Sequence, residues 1–161
     1  DLHSFPTRRS SDLTLSLMYA CAKVGMNMVC ASPKGYQPDP KVLAEAREDA
    51  SHTGCTITVE EDLFKAAKGA DVLYTDVWTS MGEEAERDIR FAALHNYQIN
   101  QALLDVARPE CIVLHCLPAH RGEEITEDVL EGPHSVVFDQ AENRLHVQKA
   151  IMALLMRDEV L

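Results

Sequence analysis

The sequence is poor in positive charge. Fifteen lysines and arginines stand against 26 aspartates and glutamates, a net charge of −11. Phosphate backbones and anionic bilayers are held by basic patches, so nucleic acid and membrane surfaces are excluded as partners. The acidity itself reads as solubility. No apolar run approaches the roughly 18 residues of a membrane-spanning helix, and the N-terminus lacks the apolar stretch of a signal peptide. No CxxC pair occurs among the five cysteines, Cys21, Cys30, Cys55, Cys111 and Cys116. An odd set without that pairing fits a reducing compartment better than a disulfide framework, and a cytoplasmic setting is expected. Internal repeats and low-complexity linkers are absent too. No GxGxxG fingerprint follows a first strand, which disfavours a dinucleotide-binding dehydrogenase.

What is present is a regular alternation. The chain of 161 residues, 46% of them apolar, is long enough for one domain with a real core. Leu13, Leu17, Ala20, Cys21 and Val24 recur at helical spacing, with Gly25 at the helix stop. Asn27 to Ala31 reads as a buried strand. Asp39-Pro40 is an N-cap followed by proline at the first helical position, and Leu43, Ala46 and Ala50 share a face beyond it. Strands are expected at 56–59, 71–75, 111–114 and 135–138. Thr58 and Glu61 have capping-box spacing for a short helix ending near Gly69. Acidic Glu83, Glu84 and Glu86 suit a helix N-terminus. A short helix is expected over 100–107, and Thr126 caps a helical turn. The final helix carries Val147, Ile151, Leu154 and Leu155 on one stripe.

This order predicts an α/β fold, a doubly wound, Rossmann-like parallel sheet with helices on both faces. Residues 1–12, DLHSFPTRRSSD, show no strand alternation and read as a non-native or disordered segment. The first, central strand of the sheet is therefore expected to be missing, and the domain to run from 13 to 161.

Ligands of such sheets bind beyond the carboxyl ends of the strands, where three segments carry chemistry. In Asp76-Val77-Trp78-Thr79-Ser80-Met81-Gly82, a carboxylate that could hold an ammonium group precedes free N–H groups at a helix start, which suit a carboxylate. The same pattern also describes an N-cap loop around a packed tryptophan. In His115-Cys116-Leu117-Pro118, a thiol with a lowered pKa could act as a base, and the Leu–Pro bond could be cis; an inert buried cysteine is the alternative. His115 and His120 have no further ligands spaced to complete a metal site. In Phe138-Asp139-Gln140-Ala141-Glu142-Asn143-Arg144, Arg144 could reach a phosphate or a carbonyl oxygen under attack, or form a surface ion pair.

Taken together, DVWTSMGEE, HCLPAHRGEE and FDQAENRLH resemble the signatures of the ornithine carbamoyltransferases, in that family's order and spacing. AKVGMNMVCASPKGYQPDP resembles the opening of its second domain, and the resemblance covers residues 13 to 157. It implies that Asp76, Ser80 and Met81 bind ornithine, and that Cys116 accepts the proton of the reacting amine. It further implies that Cys116 and Leu117 face the carbamoyl nitrogen and that Arg144 contacts carbamoyl phosphate. Citrulline and phosphate would form without metal or organic cofactor, in a homotrimer. An asparagine-rich turn that binds ornithine in the family is replaced here by Ser11-Asp12. The carbamoyl phosphate domain, with its Ser-Thr-Arg-Thr loop, is not found in this chain, which is expected to be inactive alone. A carbamoyltransferase for another amine and a stand-alone amino-acid-binding module are the alternatives. Aspartate-specific relatives carry proline where Cys116 stands and lack the SMG loop.

Overall fold

The structure is a computed structural model and describes residues 2–5, 11–79 and 87–156. Five parallel strands form one sheet: β1 (Leu2–Phe5), β2 (Met28–Ala31), β3 (Ile57–Glu60), β4 (Val72–Thr75) and β5 (Ile112–His115). Helices follow in chain order: α1 (Ser11–Val24), α2 (Pro40–Thr53), α3 (Leu63–Ala67), α4 (Arg87–Leu94), α5 (Gln101–Leu104), α6 (Glu127–Leu130) and α7 (Val137–Leu155). The strand order is β3-β2-β1-β4-β5. The chain winds outward from β1 to β3, then crosses back to β4, so the order reverses between β1 and β4. Such a reversal opens a crevice at the carboxyl ends of the strands.

Alternate residues of each strand point to opposite layers. Met28 and Cys30 of β2 and Tyr74 of β4 join a core cluster with Met18, Cys21, Ala46 and Ala50 of α1 and α2. Leu73 and Val113 face the other way, toward Ala67, Leu103, Ile125 and Leu130. Caps fix the helix starts. The Asp39 carboxylate accepts from the Lys41 N–H at 2.8 Å ahead of Pro40, and Asn100 accepts from Leu103 N–H at 3.1 Å. Each such cap contributes about 1 kcal/mol. Among the described residues no helix is long and apolar enough to cross a membrane.

Four expectations need correction. The central strand is not missing: Leu2–Phe5 occupies its place and pairs with β2 and β4. The expectation rested on side-chain alternation, whereas the ladder is made by backbone groups, and leaving this slot empty would strand those of two neighbours. The strand at 135–138 does not form. Val113 exchanges backbone bonds with His134 and Val136, Ser135 makes an isolated bridge, and α7 begins at Val137. Beyond that single bridge the outer edge of β5 is met by a side chain, Gln140 Oε1 accepting from the His115 N–H at 3.1 Å. The short helix α3 is capped by Asp62, which accepts from Lys65 N–H at 3.0 Å; Thr58, proposed for that role, lies inside β3. Finally, the apolar stripe of α7 is left largely exposed. Val147, Ile151, Leu154 and Leu155 are all exposed, and Val137 is the helix's buried residue. The helix start expected around Glu83, Glu84 and Glu86 lies outside the described residues.

Candidate active site

Asp76 and Cys116 leave the sheet side by side, because each follows directly on the last residue of its strand and β4 and β5 are neighbours. Thr75 pairs with His115 across the ladder, so the next residue on each strand meets across the same edge. The Cys116 thiol donates to Asp76 Oδ1 at 2.8 Å. The same oxygen accepts the Val77 N–H at 2.7 Å. Among the described residues Oδ2 takes no hydrogen bond, which leaves one carboxylate oxygen for an incoming donor.

Burial, the hydrogen bond to Asp76 and the charge of Asp76 together push the Cys116 thiol well above its ordinary range. A lowered pKa was the condition for a thiolate base here, with an inert buried cysteine as the alternative; burial and an anionic neighbour drive the shift the other way. Tyr74 is pushed up to about 12, first by burial and then by Cys116. Its hydroxyl accepts from Gln140 Nε2 at 3.0 Å. Tyr74, Cys116, Gln140 and Arg144 all line one cleft of about 300 Å³, to which Leu13 of α1 contributes an apolar wall.

The turn after β5 is held from beneath. His115 and Glu124 are both fully buried, and His115 Nε2 lies 3.0 Å from Glu124 Oε1. The Leu117 N–H donates to His115 Nδ1 at 2.8 Å, and the His120 N–H donates to Glu124 Oε1 at 2.6 Å. Leu117 adopts a left-handed φ of 55°, and the Leu117–Pro118 bond is cis, as the sequence had allowed. In the segment after β4, Trp78 is buried in the core and packs edge-on against Phe91 with ring centroids 5.7 Å apart. The buried Arg90 of α4 donates to the Trp78 carbonyl at 3.2 Å.

The chain that builds this arrangement, a carboxylate and a thiol at adjoining strand ends with an arginine lining the same cleft, is similar in sequence and fold to known proteins. The sequence model of the aspartate/ornithine carbamoyltransferase Asp/Orn-binding domain matches residues 8–155. The chain belongs to that family. It is 59% identical over 141 residues to an ornithine carbamoyltransferase of Gloeobacter violaceus, covering 88% of this chain and 45% of the relative. The crystal structure of the Gloeobacter violaceus enzyme superposes with a TM-score of 0.83 at 48% identity, over 97% of this chain and 51% of that one. The Pyrococcus furiosus ornithine carbamoyltransferase does so with a TM-score of 0.90 at 46% identity, over 99% of this chain and 50% of that one. The chain therefore spans about half the length of the carbamoyltransferases it matches.

Of the residues singled out from the sequence, Asp76 and Cys116 are in contact, Cys116 and Arg144 line the same cleft, and Leu117 forms the turn beside them. Ser80 and Met81 lie outside the described residues. His120, Glu123 and Glu124 bring ligand atoms within 4.8 Å of one another. However, Glu123 already holds the Arg87 guanidinium and Glu124 Oε1 carries two N–H groups, so both acids are already engaged by groups of the chain itself. Sequence reasoning passed over Glu124, Tyr74 and Gln140. The available signal for the first was a histidine at a strand end with an acid in the loop that folds back under it.

Proposed function

We propose that this chain is the ornithine-binding half of an ornithine carbamoyltransferase. The observation that carries this reading is the Asp76–Cys116 contact at the crevice edge, with Asp76 Oδ2 left for a cation. Ornithine's side-chain ammonium is placed against Asp76, and its amino-acid head against the Ser80-Met81-Gly82 backbone. Loss of the ammonium proton exposes the lone pair, which attacks the carbonyl of carbamoyl phosphate. The tetrahedral adduct collapses with cleavage of the C–O bond to phosphate, giving citrulline. Arg144, and groups presented by Cys116 and Leu117, stabilise the carbamoyl moiety.

The raised thiol constrains proton transfer. Cys116 meets its substrate protonated, and the thiolate form needed to accept a proton is favoured only once a cation sits between it and Asp76. The same ammonium that Asp76 attracts therefore prepares Cys116. No step calls for a metal or an organic cofactor.

The remaining half of the relatives' length is the proposed carbamoyl phosphate domain, seated on the exposed apolar face of α7 and completing a homotrimer. The ornithine-binding unit in this reading takes in the central strand Leu2–Phe5 as well as the elements that follow it, and works in the cytoplasm, where all five thiols stay free. The 161 residues alone are expected to bind ornithine but make no citrulline. Calorimetric titration with ornithine tests this, beside Asp76→Ala and with putrescine as a control. Binding of ornithine, lost in the variant and absent for putrescine, is the expected result. Equal binding of putrescine would sink the proposed role of the carboxylate-binding loop, and citrulline production by this chain would sink the half-site reading.

A further inference from the structure

Glu124 is the most completely buried acid in the described chain, and it reaches the cleft only through His115, which is one of the residues lining it. Its Oε1 accepts two hydrogen bonds, from the His115 ring and from the His120 backbone, while Oε2 has no partner. His120 Nδ1, half-exposed, lies 4.0 Å from Oε2, and a Glu123 carboxylate oxygen lies within 4.8 Å of Glu124's. His115 in turn accepts the Leu117 N–H through Nδ1. That acceptor role fixes the imidazole as the tautomer protonated on Nε2, which is the atom facing Glu124. A relay thus runs from Glu124 through His115 to the Leu117 N–H, with a second arm to His120. Between the two arms lies the turn that carries Cys116, and its Leu117 takes a φ of 55° that an L side chain rarely adopts unaided. The surrounding backbone locks the far end: Ile99 N–H donates to the Glu124 carbonyl at 2.9 Å, and Gly122 N–H to that of Ile125 at 2.8 Å.

We propose that Glu124 is a positioning residue for carbamoyl transfer, acting through the His115 imidazole to hold the Cys116–Leu117 turn against Asp76. The proposal rests on the reading that Asp76 and Cys116 receive the substrate amine. Its particular content is that Glu124 serves as an acceptor and not as a charge, since both bonds fall on one oxygen. An amide oxygen can do the same work, and a hydrocarbon cannot.

Cys116 reports on this directly, because it is the one cysteine of the five that is not buried. Alkylation by iodoacetamide is followed against pH in the full chain, in Glu124→Gln, in Glu124→Leu, and in Leu103→Ala as a core-destabilised control remote from the turn. Losing the bond to Asp76 frees the thiol to ionise. Glu124→Leu is therefore expected to react about tenfold faster or more near neutral pH, as for a fall of about one pKa unit. Glu124→Gln should stay within about threefold of the parent. Leu103→Ala should melt earlier without changing the alkylation profile, which separates positioning from mere stability. A folded Glu124→Leu with the parental profile overturns the proposal, as does Glu124→Gln behaving like Glu124→Leu. Should Glu124→Leu not fold, nitrogen NMR of the parental His115 ring decides: a ring protonated on Nδ1 cannot accept from Leu117 and overturns the relay. Ornithine titration of the same samples keeps the two readings apart. The expected alkylation pattern with no ornithine binding would defeat the substrate assignment and leave the role of Glu124 in holding the turn.

Discussion

The turn after β5 and the helix α7 are close in sequence and opposite in character. In the turn, His115, Leu117, His120 and Glu124 bond to one another, and Gln98, Ile99 and Gln140 tie the stretch to the rest of the chain. In α7, nineteen residues contribute a single buried side chain. Leu145, Ile151 and Leu154 are about half exposed or more, at 58%, 49% and 60%. A patch of that kind has the composition of an interaction surface, while the turn is closed by bonds within the chain. Local polar closure and exposed apolar surface are two different uses of neighbouring sequence, the first fixing geometry and the second leaving a face open.

The comparison can be broken from the turn side first. Removing one member of the buried pair, as in His115→Ala, is expected to cost about 3–5 kcal/mol of stability, read from chemical denaturation. A cost below about 1 kcal/mol would mean that the turn is held by other contacts. Next in size is Asp76→Ala, which should weaken ornithine binding by about 1.5–3 kcal/mol, the span for a hydrogen bond to a charged group, measured by calorimetry with the fold unchanged.

A pH titration sharpens the contrast at intermediate size. Cys116, Cys30 and Tyr74 all have folded pKa values raised above their unfolded ones, in each case chiefly by burial. Raised values mean that the folded state holds its protons longer. Their contribution to stability is therefore fully present below the unfolded thiol and phenol values and is lost as pH rises through the folded ones. Melting temperature should fall across the alkaline range above the ordinary thiol value, and Cys30→Ala should flatten part of that fall. A flat alkaline limb in the parent would contradict the burial of these groups. The smallest effect is expected on α7. Ile151→Gln should change the stability of this chain by no more than about 0.5 kcal/mol, yet cost about 1.5–3 kcal/mol where a partner domain covers it. A large effect in the chain alone would show that α7 folds back onto its own sheet.

Much of the fold was legible because helical and strand periods alternate cleanly along the chain. Four strands fell within a residue or so of their expected ends, and Asp39-Pro40 opened α2 where its chemistry said it should. The failures share a cause. Leu2–Phe5 lacks alternation, but its position is dictated by the vacancy between β2 and β4, a tertiary fact. Val136-Val137 looks like a strand by composition, yet the β5 edge is completed by the Gln140 amide, so helix wins over propensity. At the site, Asp76 and Cys116 were visible as strand-end residues. Their hydrogen bond required knowing that β4 and β5 are adjacent, and the upward thiol shift required knowing also how far Cys116 is buried. The support from Glu124 was invisible because a buried acid and an exposed one read alike in sequence.

The place of β1 carries a consequence for the order of assembly. Leu2 pairs with Met28 on one side across a modest stretch of chain, and with Val72 on the other across a much longer one. Thermodynamically the longer closure matters little, at about 0.6 kcal/mol per doubling of length. Kinetically it means that the middle of the sheet is sealed only after β2 and β3 have docked and the chain has returned. Until β4 arrives, β1 presents an open ladder at what will become the centre of the molecule. That transient edge, rather than any strand at the periphery, is where a second copy of the sequence would have its opportunity to exchange strands.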